Sequence, residues 1–89
     1  MVLSKHAKIR MQQRGIPLRI VDWLAAYGAV NHQRGSELYY FDHSSRRALE
    51  RDVGRCQLKH FAKALNAYMI YADGQIATVG HRYQRIVRH

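Results

Sequence analysis

The chain is predicted to be an α+β domain, with helices packed on one face of a small, mostly antiparallel sheet. Three observations predict this. Apolar residues recur at helical spacing in Ile20-Val21-Leu24-Tyr27 and in Leu58-Phe61-Ala62-Leu65. Residues 68–72 and 75–79 are strand-like runs on either side of Asp73-Gly74, a pair that favours a two-residue type I′ hairpin turn. Residues 38–42, with Tyr39, Tyr40 and Phe41, read as a further strand between helical segments. The 89 residues make one domain, 1–89, with a small core.

Each element has a local reason. Ser4 is an N-cap and Gly15 a left-handed C-terminal residue for a first helix, about residues 5–14. Pro17 suits the first position of a second helix, where its fixed φ is preset and its missing N–H is not needed. That helix runs to Tyr27 and stops at Gly28, with Trp23 beside its apolar face. Residues 33–36 read as a loop. Ser44 or Ser45 caps a third helix through Val53, ended by Gly54, and a fourth spans about residues 57–65, ended by Asn66. A two-residue turn pairs Ala72 with Gln75, Ile70 with Ala77 and Tyr68 with Val79. The period of two then puts His81 on the face of Val79 and Ala77, and Arg82 on the other. The predicted order is α-α-β-α-α-β-β.

The charge is segregated. Residues 1–21 carry Lys5, Lys8, Arg10, Arg14 and Arg19 with no acid, and residues 74–89 carry Arg82, Arg85 and Arg88 with none. The middle is nearly balanced, so the two ends supply eight of the nine net positive charges. Such a charge is a statement about partners, and nucleic acid comes first. Arginine dominates the basic residues, and its planar fork grips a phosphate at two points. The single cysteine, Cys56, excludes an intrachain disulfide and favours a reducing compartment; it is read as a small, at least half-buried hydrophobe. No apolar run has the length of a membrane span, and no signal-peptide pattern opens the chain, so a soluble cytoplasmic protein is expected. The histidines lack metal-ligand spacing, so no metal and no cofactor are expected.

Two clusters carry candidate chemistry. His6, Arg10 and Arg14 recur every four residues and form one helical ridge, with Ala7 and Met11 beside it facing inward. Like charges at this spacing repel by a few tenths of a kcal/mol (~0.2–0.5 per pair), which an anion relieves; a plain solvated face is the competing account. His81-Arg82-Tyr83 ends the last strand. A histidine transfers protons near neutrality, an arginine stabilises the charge of a pentavalent phosphate, and a tyrosine stacks on a base. Lys5, Arg46, Arg47 and Arg85 are candidates for a track along the nucleic-acid backbone, although Glu50 and Asp52 are interleaved with the middle pair. Tyr39, Tyr40 and Phe41 are assigned to the sheet core ahead of a base-stacking role.

The opening Ser4-Lys5-His6-Ala7-Lys8-Ile9-Arg10-Met11-Gln12-Gln13-Arg14-Gly15-Ile16, together with Gly80-His81-Arg82-Tyr83, resembles the DUF4258 family of small bacterial proteins over nearly the whole chain. That family is grouped with the barnase–EndoU–colicin–RelE-like fold, which holds many metal-independent ribonuclease toxins. The resemblance implies a helical N-terminal half on a twisted antiparallel sheet. It also implies a cleft where the N-terminal His and Arg meet the last strands, with His6, Arg10, Arg14, His81 and Arg82 at the matching positions. The expected function is then a metal-independent endoribonuclease toxin, in which a ribose 2′-OH attacks the adjacent phosphate. One of His6 and His81 would be the base and the other the acid, with Arg10, Arg14 and Arg82 on the phosphate. The expected partners are RNA and a cognate antitoxin with an acidic interface. The alternatives are a nucleic-acid-binding module without chemistry, and a toxin that grips an acidic protein target. The separation of the two histidines is the geometric test: within about 10 Å they bracket one phosphate.

Overall fold

A computed structural model describes residues 2–82. The elements are α1 (Lys5–Arg14), α2 (Leu18–Tyr27), β1 (Ala29–Gln33), β2 (Ser36–Tyr40), α3 (His43–Val53), α4 (Arg55–His60), a 3₁₀ turn (Ala62–Ala64), β3 (Ala67–Ala72) and β4 (Gln75–His81). The protein is α+β. Its four strands form one antiparallel sheet in the order β1-β2-β3-β4, two hairpins with α3 and α4 between them.

The first helix forms as its ends predict. The Ser4 hydroxyl oxygen accepts from the Ala7 N–H at 3.0 Å, and Gly15 closes the helix at φ 64°, a left-handed conformation that suits glycine. Pro17 is extended and stands one place earlier than expected, just outside α2. Ile20, Val21 and Leu24 are buried, as the spacing predicts, whereas Tyr27 at the end of the stripe is only half-buried and Trp23 beside it is buried. Gly28 ends α2 for want of space: a Cβ there would lie 2.5 Å from the Leu24 carbonyl oxygen and 3.2 Å from that of Tyr40.

The structure corrects the reading in five places. Residues 33–36 are the tip of a hairpin, with Gln33 opposite Ser36 and Gly35 at φ 69°, so the sheet has a strand, β1, that was not expected. Beyond Ala29, β1 is exposed throughout; it is held by pairing with β2 and not by an apolar stripe. Asp42, not Ser44 or Ser45, caps α3. Its carboxylate accepts from the Ser45 N–H at 2.8 Å, and the Ser45 hydroxyl accepts from the Asp42 N–H at 2.8 Å, a reciprocal capping box. The fourth helix begins at Arg55 and stops at His60. Phe61 packs edge-on against Trp23 at 5.3 Å and the backbone tightens into the 3₁₀ turn, which buries Ala64 and Leu65 but leaves Ala62 exposed. Cys56 is exposed, because no residue of α4 is buried.

The fifth correction concerns the last hairpin. Asp73 and Gly74 both have positive φ, 55° and 77°, as a type I′ turn requires. Ala72 faces Gln75 and Tyr71 faces Ile76, but Ile70 then faces Thr78, so Ala77 is an extra residue on β4. The bulge replaces the expected Ile70–Ala77 and Tyr68–Val79 pairs with Tyr68–Gly80 and Met69–Val79. It also explains how Ile76 and Val79, of opposite parity, are both fully buried. Beyond the bulge His81 shares the face of Val79, as expected, opposite Ala67.

The helices pack on one face of the sheet, over Phe41, Ala67, Met69, Ile76 and Val79, with Tyr39 and Tyr71 at the margin. The other face presents Leu38, Tyr40, Tyr68 and Ile70 to an open cavity of about 820 Å³.

Two tyrosines on the helical side make stability pH-dependent. A 2.8 Å hydrogen bond to the Asp52 carboxylate raises the pKa of Tyr27, and burial first, then Glu37, raises that of Tyr39. The folded state holds these protons more tightly than the unfolded chain. Their contribution is therefore whole below the ordinary value of 10.0 and is lost as pH rises through the folded values. Urea melts should show stability falling above that value. The fall should be shallower in a Tyr27→Phe, Tyr39→Phe double variant; an identical alkaline slope would refute the assignment.

Candidate functional site

Among the described residues, α1 and β4 meet along one seam. Leu3 bridges to Ile76 in parallel, the Ser4 N–H donates to the Ile76 carbonyl at 3.0 Å, and the Ser4 hydroxyl donates to the Ala77 carbonyl at 3.1 Å. At the far end of α1, His81 Nε2 lies 3.0 Å from the Arg14 carbonyl oxygen. So α1 runs alongside β4 in the same direction, and its C-terminus meets the end of that strand.

Ala7 is fully buried and Met11 half-buried against the core, which sets the ridge of His6, Arg10 and Arg14 at the border of the seam, as expected. His6 and Arg14 are exposed at opposite ends of it. Arg10 is half-buried, and its Nε is buried with no hydrogen-bond partner among the described residues.

His81 is anchored on both sides. Its Nδ1 is 2.7 Å from the Asn66 side-chain oxygen, and its Nε2 faces the Arg14 carbonyl. Both oxygens are acceptors, so a ring nitrogen that carries a hydrogen donates it to the oxygen it faces. Asn66 is itself set in place: its side-chain nitrogen is 3.4 Å from the Arg82 carbonyl, and its own carbonyl accepts from the Arg82 N–H at 2.8 Å. Sequence reasoning read Asn66 only as a helix end. Its position immediately before the strand that pairs with β4 was the available signal. An Asn66→Ala variant should lose about 0.5–1.5 kcal/mol, the net worth of a part-buried hydrogen bond, read as a lower urea midpoint; an unchanged midpoint would remove the clasp.

The two histidines are not brought together. The rise of about 1.5 Å per residue puts the backbone of His6 about 12 Å from that of Arg14 along α1, and His81 sits at the Arg14 end. The arginines are distributed differently from one another. Arg82 leaves the seam for the open face of the sheet, where its guanidinium carbon stands 5.0 Å above the Tyr40 ring. Arg46 donates to the Leu65 carbonyl at 3.0 Å and so ties α3 to the start of β3. Arg47 borders a small cavity with Glu50, Arg51 and Arg55, and Lys5 is exposed in the first turn of α1. Tyr83 and Arg85, like Arg88, lie outside the described residues. Of the aromatic run, Phe41 is buried and Tyr39 packs against the core as expected, whereas Tyr40 turns to the open face.

Among the described residues no three of His, Cys, Asp and Glu gather as a metal ion would require, and no helix is long and apolar enough to cross a membrane. Comparison with protein-family models, with curated proteins and with solved structures finds no match to this chain.

Proposed function

We propose that the protein acts on RNA at the seam of α1 and β4, as a metal-independent endoribonuclease of the toxin type restrained by a cognate antitoxin with an acidic interface. The observation that supports this most is Arg10. A buried guanidinium nitrogen without an acceptor carries a cost of about 1–3 kcal/mol or more, and a phosphate oxygen would relieve it. Arg10 stands on one ridge with Arg14, beside the strand end that bears His81 and Arg82. The resemblance of both terminal motifs to the DUF4258 family points the same way.

In this reading a ribose 2′-OH attacks the adjacent phosphorus and passes its proton to a solvent water, the bond to the 5′-oxygen breaks, and the products are a 2′,3′-cyclic phosphate and a 5′-hydroxyl. Arg10 and Arg14 offset the charge of the pentavalent phosphorane, whereas Arg82, turned to the open face, stands apart from that step. His81 gives a proton to the departing 5′-oxygen and takes one back from solvent. His6 stands too far along α1 to serve the same phosphate.

A second reading is RNA binding without cleavage. It is favoured by one observation: both nitrogens of His81 already face protein oxygens, which leaves no free histidine base at the seam. The two separate on incubating the purified protein, freed of any bound antitoxin, with single-stranded RNA in EDTA. Cyclic phosphate ends, formed more slowly by His81→Ala, support cleavage. Intact RNA that stays bound supports the second reading. RNA that is neither bound nor cut would end both.

A further inference from the structure

The open face of the sheet has a construction that phosphate binding at the seam does not use. Tyr40 of β2 and Tyr68 of β3 are register partners on this face, and Tyr68 in turn faces Gly80 of β4. A Cβ on Gly80 would lie 2.9 to 3.0 Å from the hydroxyl and ring carbons of Tyr68. The Tyr68 ring therefore lies down over the one residue of β4 that has no side chain to lift it. Gly80 is buried as a result. Beside it the Arg82 guanidinium stands 5.0 Å above the Tyr40 ring. Leu38 and Ile70 give the face apolar walls, and the amides of Asn31 and Gln33 stand on its β1 rim.

A neighbouring pair of aromatic rings, with a guanidinium beside them, suits planar groups attached to an anionic chain. Every nucleobase has a π-face to stack, and a duplex hides that face. The charge is complementary: the protein carries +9, and Asp42, a carboxylate lining this cavity, is engaged as the N-cap of α3. The last residue of β4 and the one after it link the two sites, since His81 points to the helical side and Arg82 to the open side. A strand passing over the end of β4 can thus leave its phosphates at the seam and lay its bases on the sheet.

We propose that the open face, with Tyr40 and Tyr68 as adjacent stacking positions and Arg82 beside them, binds unpaired bases, so that the substrate of this protein is single-stranded RNA. This rests on the reading of the seam as an RNA site and adds to it the strandedness of the RNA.

The test compares labelled single-stranded RNA with a blunt duplex of the same length, by fluorescence anisotropy on the full chain. Wild type should prefer the single strand. Tyr40→Leu and Tyr68→Leu, which keep apolar bulk but remove the ring, should each weaken single-strand binding by about 10- to 100-fold. Tyr40→Phe and Tyr68→Phe should bind as wild type does. Duplex binding, which draws on the seam alone, should be the same in all five proteins. A photocrosslinking arm needs no variant: halogenated-uridine RNA should label Tyr40 or Tyr68 in the wild-type protein. Leucine variants that bind the single strand normally, or crosslinks that map away from both tyrosines, overturn the platform while leaving the seam intact. Wild type that binds neither RNA overturns the seam reading and the platform with it. Loss of single-strand binding in the leucine variants with unchanged binding by Arg10→Met keeps the platform and removes the seam.

Discussion

Arg10→Met is expected to slow RNA cleavage by on the order of 10²–10³-fold while leaving the fold as stable as before or more so. The two effects separate because one feature causes both. The Nε of Arg10 is buried without a partner among the described residues, so in the free protein it is a cost and not a support. Methionine keeps the flexible stem that covers the border of α1 and removes the unsatisfied donor. In the proposed reading, the same donor pairs with a phosphate oxygen when RNA binds, as a charge-assisted hydrogen bond. Single-turnover rates and urea midpoints on the same preparation check this. A variant that melts earlier and cleaves normally would make Arg10 a structural residue and remove the main support for the seam.

The second large effect is on stability. Met69→Ala should cost about 2–5 kcal/mol, a large share of the roughly 5–10 kcal/mol expected of a domain this size. Met69 is fully buried and lies between Tyr39 and Val79 at the centre of the sheet, on the face the helices cover. Its chain neighbour Ile70 points to the open face and is only half-buried, so Ile70→Ala should cost clearly less. The comparison tests which face is the core, because a one-residue slip of β3 would exchange the two side chains. Equal losses in urea denaturation, or a larger loss for Ile70→Ala, would contradict the assignment.

What was legible in the sequence followed from local chemistry. Ser4 and Gly15 bound the first helix because a hydroxyl cap and a left-handed glycine act within one turn. Asp73-Gly74 turned the last hairpin because both residues tolerate positive φ. The apolar stripe of α2 showed in its spacing. What escaped depended on distant partners. β1 lacks an apolar alternation, since Asn31, His32 and Gln33 are exposed and the strand exists by pairing with β2. The bulge at Ala77 has no residue signature; it arises because Ile76 and Val79 both enter the core and the Ser4 hydroxyl takes the freed Ala77 carbonyl.

The site divides in the same way. The charge pattern found the two clusters, and the structure joins the first of them to His81 of the second. The contact that joins them, His81 to the backbone carbonyl of Arg14, spans 67 positions and uses a group every residue has. No side-chain pattern could announce it. The same contact fixes which end of α1 faces the last strand, and so separates His6 from His81, which the spacing alone left free to meet.

The central claim is that the seam of α1 and β4 grips RNA phosphates. The most direct measurement is the affinity of wild type and Arg10→Met for single-stranded RNA across a range of salt concentrations. Binding should weaken linearly in log–log form, and Arg10→Met should bind more weakly with a slope shallower by about 0.7, the loss of one phosphate contact. Identical affinities and identical slopes for the two proteins would contradict it.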